Sequence, residues 1–267
     1  MKKINKSSVF AIACTALMGT FGNSQATAAT LNLKDPILQS GTLNGALFQE
    51  IDPNDPAGTG VLQSFVRLQS PGNNTVEEGY NTDGRPLEFD ENNSPQFTRS
   101  LKLSDVPIFT IGGVDYRRFL LDINEPNATP QDQDKPLIDL ESLQIFLGNA
   151  GDLLNYPTFD GNAVKIFDLD SNEDNVVNLR DTNAGSGRAD LLVYIPNSLF
   201  SVSTNEYVYL YSKFSGAEGG FEEWAVKVKE KPDTPPKSVP EPATLAGLGL
   251  VAGAMAFARR RKSSQTA

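Results

Sequence analysis

From Gly45 to Lys229 the chain is a succession of short apolar and β-branched runs broken by clusters of Gly, Asn, Asp and Pro. Runs of this length punctuated this often leave no room for the helical crossovers of βαβ units, and they predict an all-β fold, an antiparallel β-sandwich of jelly-roll-like type. Strands are expected near Gly45–Gln49, Val61–Gln69, Gln96–Leu103, Ile108–Ile111, Tyr116–Ile123, Leu140–Leu147, Val164–Leu169, Val176–Leu179, Asp190–Ile195, Tyr207–Phe214 and Phe221–Lys229. Period-two alternation supports the stronger ones. Leu143, Ile145 and Leu147 alternate with Ser142, Gln144 and Phe146; Phe97, Leu101 and Leu103 share one face while Thr98, Ser100 and Lys102 share the other. The best helical candidate in the body is a single turn around Pro196–Phe200, and the acidic, proline-bearing stretch Glu125–Pro136 reads as a long surface loop.

The two ends carry other instructions. Lys2, Lys3 and Lys6 precede an apolar stretch, Val9–Gly22, and Ala26-Thr27-Ala28 is an A-x-A cleavage site, so residues 1–28 read as a secretory signal peptide. Cys14, the only cysteine, lies inside that apolar stretch without a lipobox around it. At the other end, Lys231–Lys237 reads as a stiff Pro-rich spacer within a linker of residues 231–238. Residues 239–267 follow: Val239-Pro240-Glu241-Pro242, an apolar run from Ala243 to Ala258, then Arg259-Arg260-Arg261-Lys262. As a helix the apolar run spans about 24 Å against a hydrocarbon core of roughly 30 Å, a short transmembrane anchor, and the four cations hold its end in the cytoplasm. The body, residues 29–230, is then expected outside the cell membrane as one extracellular domain.

This C-terminal order, Pro240-Glu241-Pro242, short apolar helix, basic end, resembles the PEP-CTERM sorting signal of exported proteins in exopolysaccharide-producing Gram-negative bacteria. The resemblance implies that Pro240, Glu241 and Pro242 are the recognition site of an exosortase-like processing enzyme, that Ala243–Ala267 is absent from the finished protein, and that the precursor is held only transiently at the inner membrane. Tyr80–Leu87, Phe119–Pro126, Tyr194–Phe200 and Gly220–Val226 are similar to segments in the bodies of other PEP-CTERM proteins. That similarity brings no enzymatic activity with it. It implies an exported surface or matrix protein, non-catalytic, associated with exopolysaccharide.

Charge and composition narrow the chemistry. Three basic residues leave with the leader, and four basic residues and Glu241 with the tail, so the chain between the two signals, residues 29–238, keeps 16 basic and 32 acidic residues, a net charge of −16. Such a field repels nucleic acid and anionic membrane and suits cations or neutral partners. With no histidine in the chain, Ser-His-Asp, Cys-His and HExxH chemistry are excluded. Any enzyme here would be a carboxylate-dependent glycan hydrolase or lyase, and Glu222 and Glu223 cannot be its acid pair, because successive strand residues face opposite ways.

Two constellations are candidates for binding. Asp168, Asp170, Asn172 and Asp174 place oxygens at alternate positions, as a calcium loop does; an EF-hand proper is ruled out by Glu173 and Leu179 at its Gly and Glu positions, so the readings are a looser calcium site or a solvated acidic turn. In the last hairpin, Tyr209 of the Tyr207-Tyr209-Tyr211 row faces a return strand with Glu222 and Trp224. This pattern reads either as half-buried packing or as the aromatic and acidic lining of a calcium-stabilised glycan-binding module. Gly185-Ser186-Gly187 has no P-loop context and reads as a turn.

Overall fold

The computed structural model describes residues 28–35, 39–51, 61–72, 74–171, 173–182, 187–201 and 203–229. The leader up to Thr27, the whole linker and the whole C-terminal signal, including Pro240, Glu241, Pro242 and the apolar run, lie outside the described residues, as does Asn172.

The body is a two-sheet, mostly antiparallel sandwich. One sheet is built from β1 (Thr30–Asn32), β5 (Val76–Tyr80), β6 (Leu101–Lys102), β9 (Leu137–Gly148), β10 (Ala163–Asp168), β11 (Val176–Arg180) and β13 (Tyr207–Ser215). Its order is β1-β11-β9-β13-β5, with β10 continuing beside β9 and β6 beside β13. The other contains β2 (Ser40–Leu43), β3 (Ala46–Glu50), β4 (Val61–Leu68), β7 (Ile108–Ile111), β8 (Val114–Asp122), β12 (Leu191–Pro196) and β14 (Glu222–Lys229), in the order β2-β3-β12-β8-β14-β4 with β7 beside β8. Only β1 on β11 runs parallel among the pairings of these strands.

Alternation decides which side chains meet between the sheets. Leu143, Ile145 and Leu147 of β9, and Val208 and Leu210 of β13, enter one continuous core with Phe48, Phe65, Phe119, Leu121, Val193 and Trp224. The intervening residues of β9 and β13 point the other way, where Phe146, Tyr209 and Tyr211 join Tyr80 and Phe159 in a second cluster on the outer face. The turn expected at Pro196–Phe200 is present as a 3-10 segment, Asn197–Ser201.

Four elements differ from the sequence reading. Residues 96–103 do not form one strand: only Leu101–Lys102 pairs, because the N–H groups of Phe97 and Thr98 turn back onto the Ser94 carbonyl. Phe97 is held by a cation–π contact instead, since the Arg67 guanidinium lies 3.5 Å from its ring and 3.9 Å from that of Phe221. Within the lead-in before Ser40, Thr30–Asn32 is a strand, and Ser40–Leu43 adds another. Val76–Tyr80, which is not among the expected strands, is also a strand, with Gly79 required because a Cβ there would come within 2.7 Å of the Glu91 side chain. Where β5 ends, the Asn81 amide stands in for backbone beside β13, donating to the Val208 carbonyl at 2.8 Å and accepting from the Leu210 N–H at 2.7 Å.

Candidate functional site

The acidic turn follows β10. Asp168 accepts from Lys165 Nζ at 2.5 Å, from Gln144 Nε2 at 3.3 Å and from the Asp170 N–H at 3.0 Å. Asp170 caps the turn by accepting the Asn175 N–H at 2.9 Å; burial, with the charges of Asp168 and Asp174, pushes its carboxyl above the usual range. Asn175 in turn ties the turn to the first strand, donating to the Leu169 carbonyl and accepting the Ala29 N–H. Asp174 is exposed. Asp168 and Asp170 are thus engaged in shaping the turn, and among the described residues no three acidic groups stand as a ready metal cage.

Tyr209, Glu222 and Trp224 do not meet on one surface. Trp224 is fully buried between the sheets, its indole N–H donating to Ser212 Oγ at 3.0 Å. Glu222 faces the same interior, also fully buried. Tyr209 lies on the far side of its sheet, where its hydroxyl donates to the Ala150 carbonyl at 2.6 Å and accepts the Leu153 N–H at 3.0 Å. What that outer cluster does present is a ledge invisible in the sequence. Tyr156 stacks on Tyr211 at 4.2 Å between centroids and 15° between planes, and Phe89, 37% exposed, packs edge-on to both. The phenols of Tyr80 and Tyr211 are held far above their ordinary pKa by burial and by the carboxylates they hydrogen-bond, Glu88 and Glu78. Tyr156 donates to Gln144 Oε1 at 2.8 Å. Tyr156→Phe keeps the stacking and loses the hydroxyl's bond to Gln144, so urea unfolding is expected to show a loss of about 1 kcal/mol.

Acidic residues gather at two places that the sequence did not mark. On the outer face of the second sheet, Glu223 pairs with Arg67 at 2.7 Å beside Asp122 and Asp190. Asp190 is well satisfied, accepting from the Ile123 N–H and from both the N–H and the hydroxyl of Thr182. Asp122 is not: one oxygen accepts the Gly187 N–H at 2.7 Å, the other has no donor, and burial reinforced by its acidic neighbours pushes its pKa up to about 8. On the inner face, Glu222 lies against Glu77 and Glu125. Glu222 and Glu223 therefore serve opposite faces of β14. The signal that would have found these groupings is a carboxylate at a core-facing strand position, but which acids become neighbours depends on sheet order.

Residues 238–262 match the PEP-CTERM protein-sorting motif. A motif of this kind supports sorting of the chain by exosortase. No curated protein and no solved structure matches the chain. The sorting motif implies a secreted protein, processed by exosortase and reaching the cell surface. The motif begins nine residues beyond Lys229, the last residue of β14. Since β14 lies between β8 and β4, the last strand before the motif is an interior strand of its sheet. Among the described residues no helix is long and apolar enough to cross a membrane.

Proposed function

We propose that the exported body is a non-catalytic component of the cell surface or extracellular matrix, associated with exopolysaccharide and released from an inner-membrane-anchored precursor. The observation that carries this reading is the fate of the binding candidates: Trp224, Glu222 and Tyr209 are all buried, on two different faces, and line no common cleft. The company kept by the sorting motif supplies the polysaccharide. A second reading, a calcium-stabilised glycan-binding module, is favoured by the Phe89–Tyr156 ledge, since stacked rings with an exposed edge suit the C–H face of a sugar. A carboxylate-dependent hydrolase or lyase is the third.

Processed protein mixed with exopolysaccharide from the producing cells should co-sediment with it and release neither reducing ends nor unsaturated sugar. Failure to co-sediment ends the association; release of sugar makes the protein an enzyme. Co-sedimentation abolished by Phe89→Ser, in a protein that melts normally, favours the glycan-binding module.

A further inference from the structure

Glu77, Glu125 and Glu222 reach one end of the sandwich from different elements: β5 in one sheet, the loop after β8, and β14 in the other sheet. Glu77 Oε1 accepts from the Ser70 N–H at 2.9 Å and its hydroxyl at 3.3 Å, and Glu125 Oε2 accepts the Glu218 N–H at 2.8 Å. The remaining oxygens, Glu77 Oε2, Glu125 Oε1 and both of Glu222, are buried and no donor reaches them. Glu222 is 0% exposed, and its carboxyl lies against the other two. The acidic charges acting on Glu222 come from Glu77 and Glu125, and those acting on Glu125 from Glu77 and Glu218; Glu222 lies within hydrogen-bond reach of both carboxyls and donates to them when it is protonated.

Once ionised, three desolvated carboxylates repel one another, and either a proton shared between them or a bound cation makes the contact attractive. We propose that Glu77, Glu125 and Glu222 bind a hard divalent cation, calcium by preference, that ties the two sheets together at this end. The donor set is all oxygen, and Glu222, with both oxygens free, suits the bidentate carboxylate that calcium accepts and magnesium's stricter octahedron does not favour. A polar cavity of about 430 Å³ borders Glu77 and is lined by Ser70, Asn74, Glu218, Gly219 and Gly220, giving an approach for the ion and room for the waters that complete its shell. Among the described residues no group of three or more acidic side chains stands ready to hold a metal ion, so binding requires these three to draw together. An acidic body exported to a medium where calcium reaches millimolar levels draws such an ion to it.

The test is thermal unfolding of the processed protein at neutral pH in about 1 mM calcium chloride or in EDTA. Calcium is expected to raise Tm by about 5 °C or more. Glu222→Gln should remove that increment and Asp168→Asn should keep it, which separates this site from the turn after β10. Should Glu222→Gln not fold, Glu125→Gln and terbium luminescence sensitised through Trp224 replace it; Trp224 stands two residues along the same face of β14, roughly 7 Å away. Terbium emission displaced by calcium, and absent in Glu125→Gln, is the expected result. Equal Tm in calcium and EDTA overturns the proposal, as does an increment lost in Asp168→Asn but kept in Glu222→Gln. Stabilisation by acid alone, with no response to calcium, overturns it too, because protons then fill the role of the cation.

Discussion

Trp224→Ala is expected to destabilise the body by about 3–5 kcal/mol, the range for removing a large aromatic from a packed core. Trp224 is the largest of the fully buried side chains and sits opposite Leu121 of β8 and Val66 of β4, with the other sheet closing over it. Its removal also leaves Ser212 Oγ, itself fully buried, without the indole N–H, adding about 1 kcal/mol. For a body of this size the sum lowers Tm by roughly 10 °C or more, read by thermal or urea unfolding. An unchanged melting curve would show that the indole is not a core element. A loss of polysaccharide binding in this variant would therefore report unfolding. Trp224→Phe, which retains most of the volume, is the variant in which binding can be compared fairly, and it is expected to bind as the parent does.

Asp122→Asn is expected to change how stability depends on pH. The folded pKa of Asp122 lies at about 8, against an ordinary 3.8. Below about pH 4 both the folded and the unfolded chain hold the proton, and the residue contributes nothing. Between about pH 4 and pH 8 the unfolded chain has released the proton while the folded chain still holds it, so stability falls as pH rises; above about pH 8 the full penalty is in force. Four pKa units correspond to a loss on the order of 5 kcal/mol. An asparagine accepts the Gly187 N–H as the carboxylate does, and its amide donors face acidic neighbours, Asp190 and Glu223, that repel a second charge. Urea unfolding across this range should give wild type and Asp122→Asn similar stabilities near pH 4, with the variant increasingly the more stable toward pH 8. Parallel profiles would mean that Asp122 ionises as freely in the folded protein as in the unfolded one.

Much of the sandwich is legible in the linear chain because period two is a local property. Leu143-Gln144-Ile145-Phe146-Leu147 tells which residues share a face before any partner strand is known, and the structure sends Ile145 and Phe146 to different clusters accordingly. The acidic turn after Asp168 is legible for the same reason, since its carboxylates act on their own backbone two to five residues away. Val76–Tyr80 is not legible. A strand containing two acids and a glycine looks like loop until the Ser70 groups, which hold Glu77, and Tyr211, which donates to Glu78, are in place. Phe97 misleads in the opposite sense: alternation assigns it to a strand, and stacking on Arg67, thirty residues earlier in the chain, turns it out of one.

The sequence by itself determined the C-terminal sorting motif, the exclusion of histidine chemistry and the class of fold, each of which depends on residue type and short-range spacing. Tertiary structure alone decided that Trp224 is interior, that Tyr156 lies on Tyr211, and that Glu77, Glu125 and Glu222 share one desolvated corner. The reason is that the cost of burying a charge, or the benefit of stacking a ring, depends on neighbours brought together by the order of strands in two sheets. Local pattern predicts strands, but it does not contain that order.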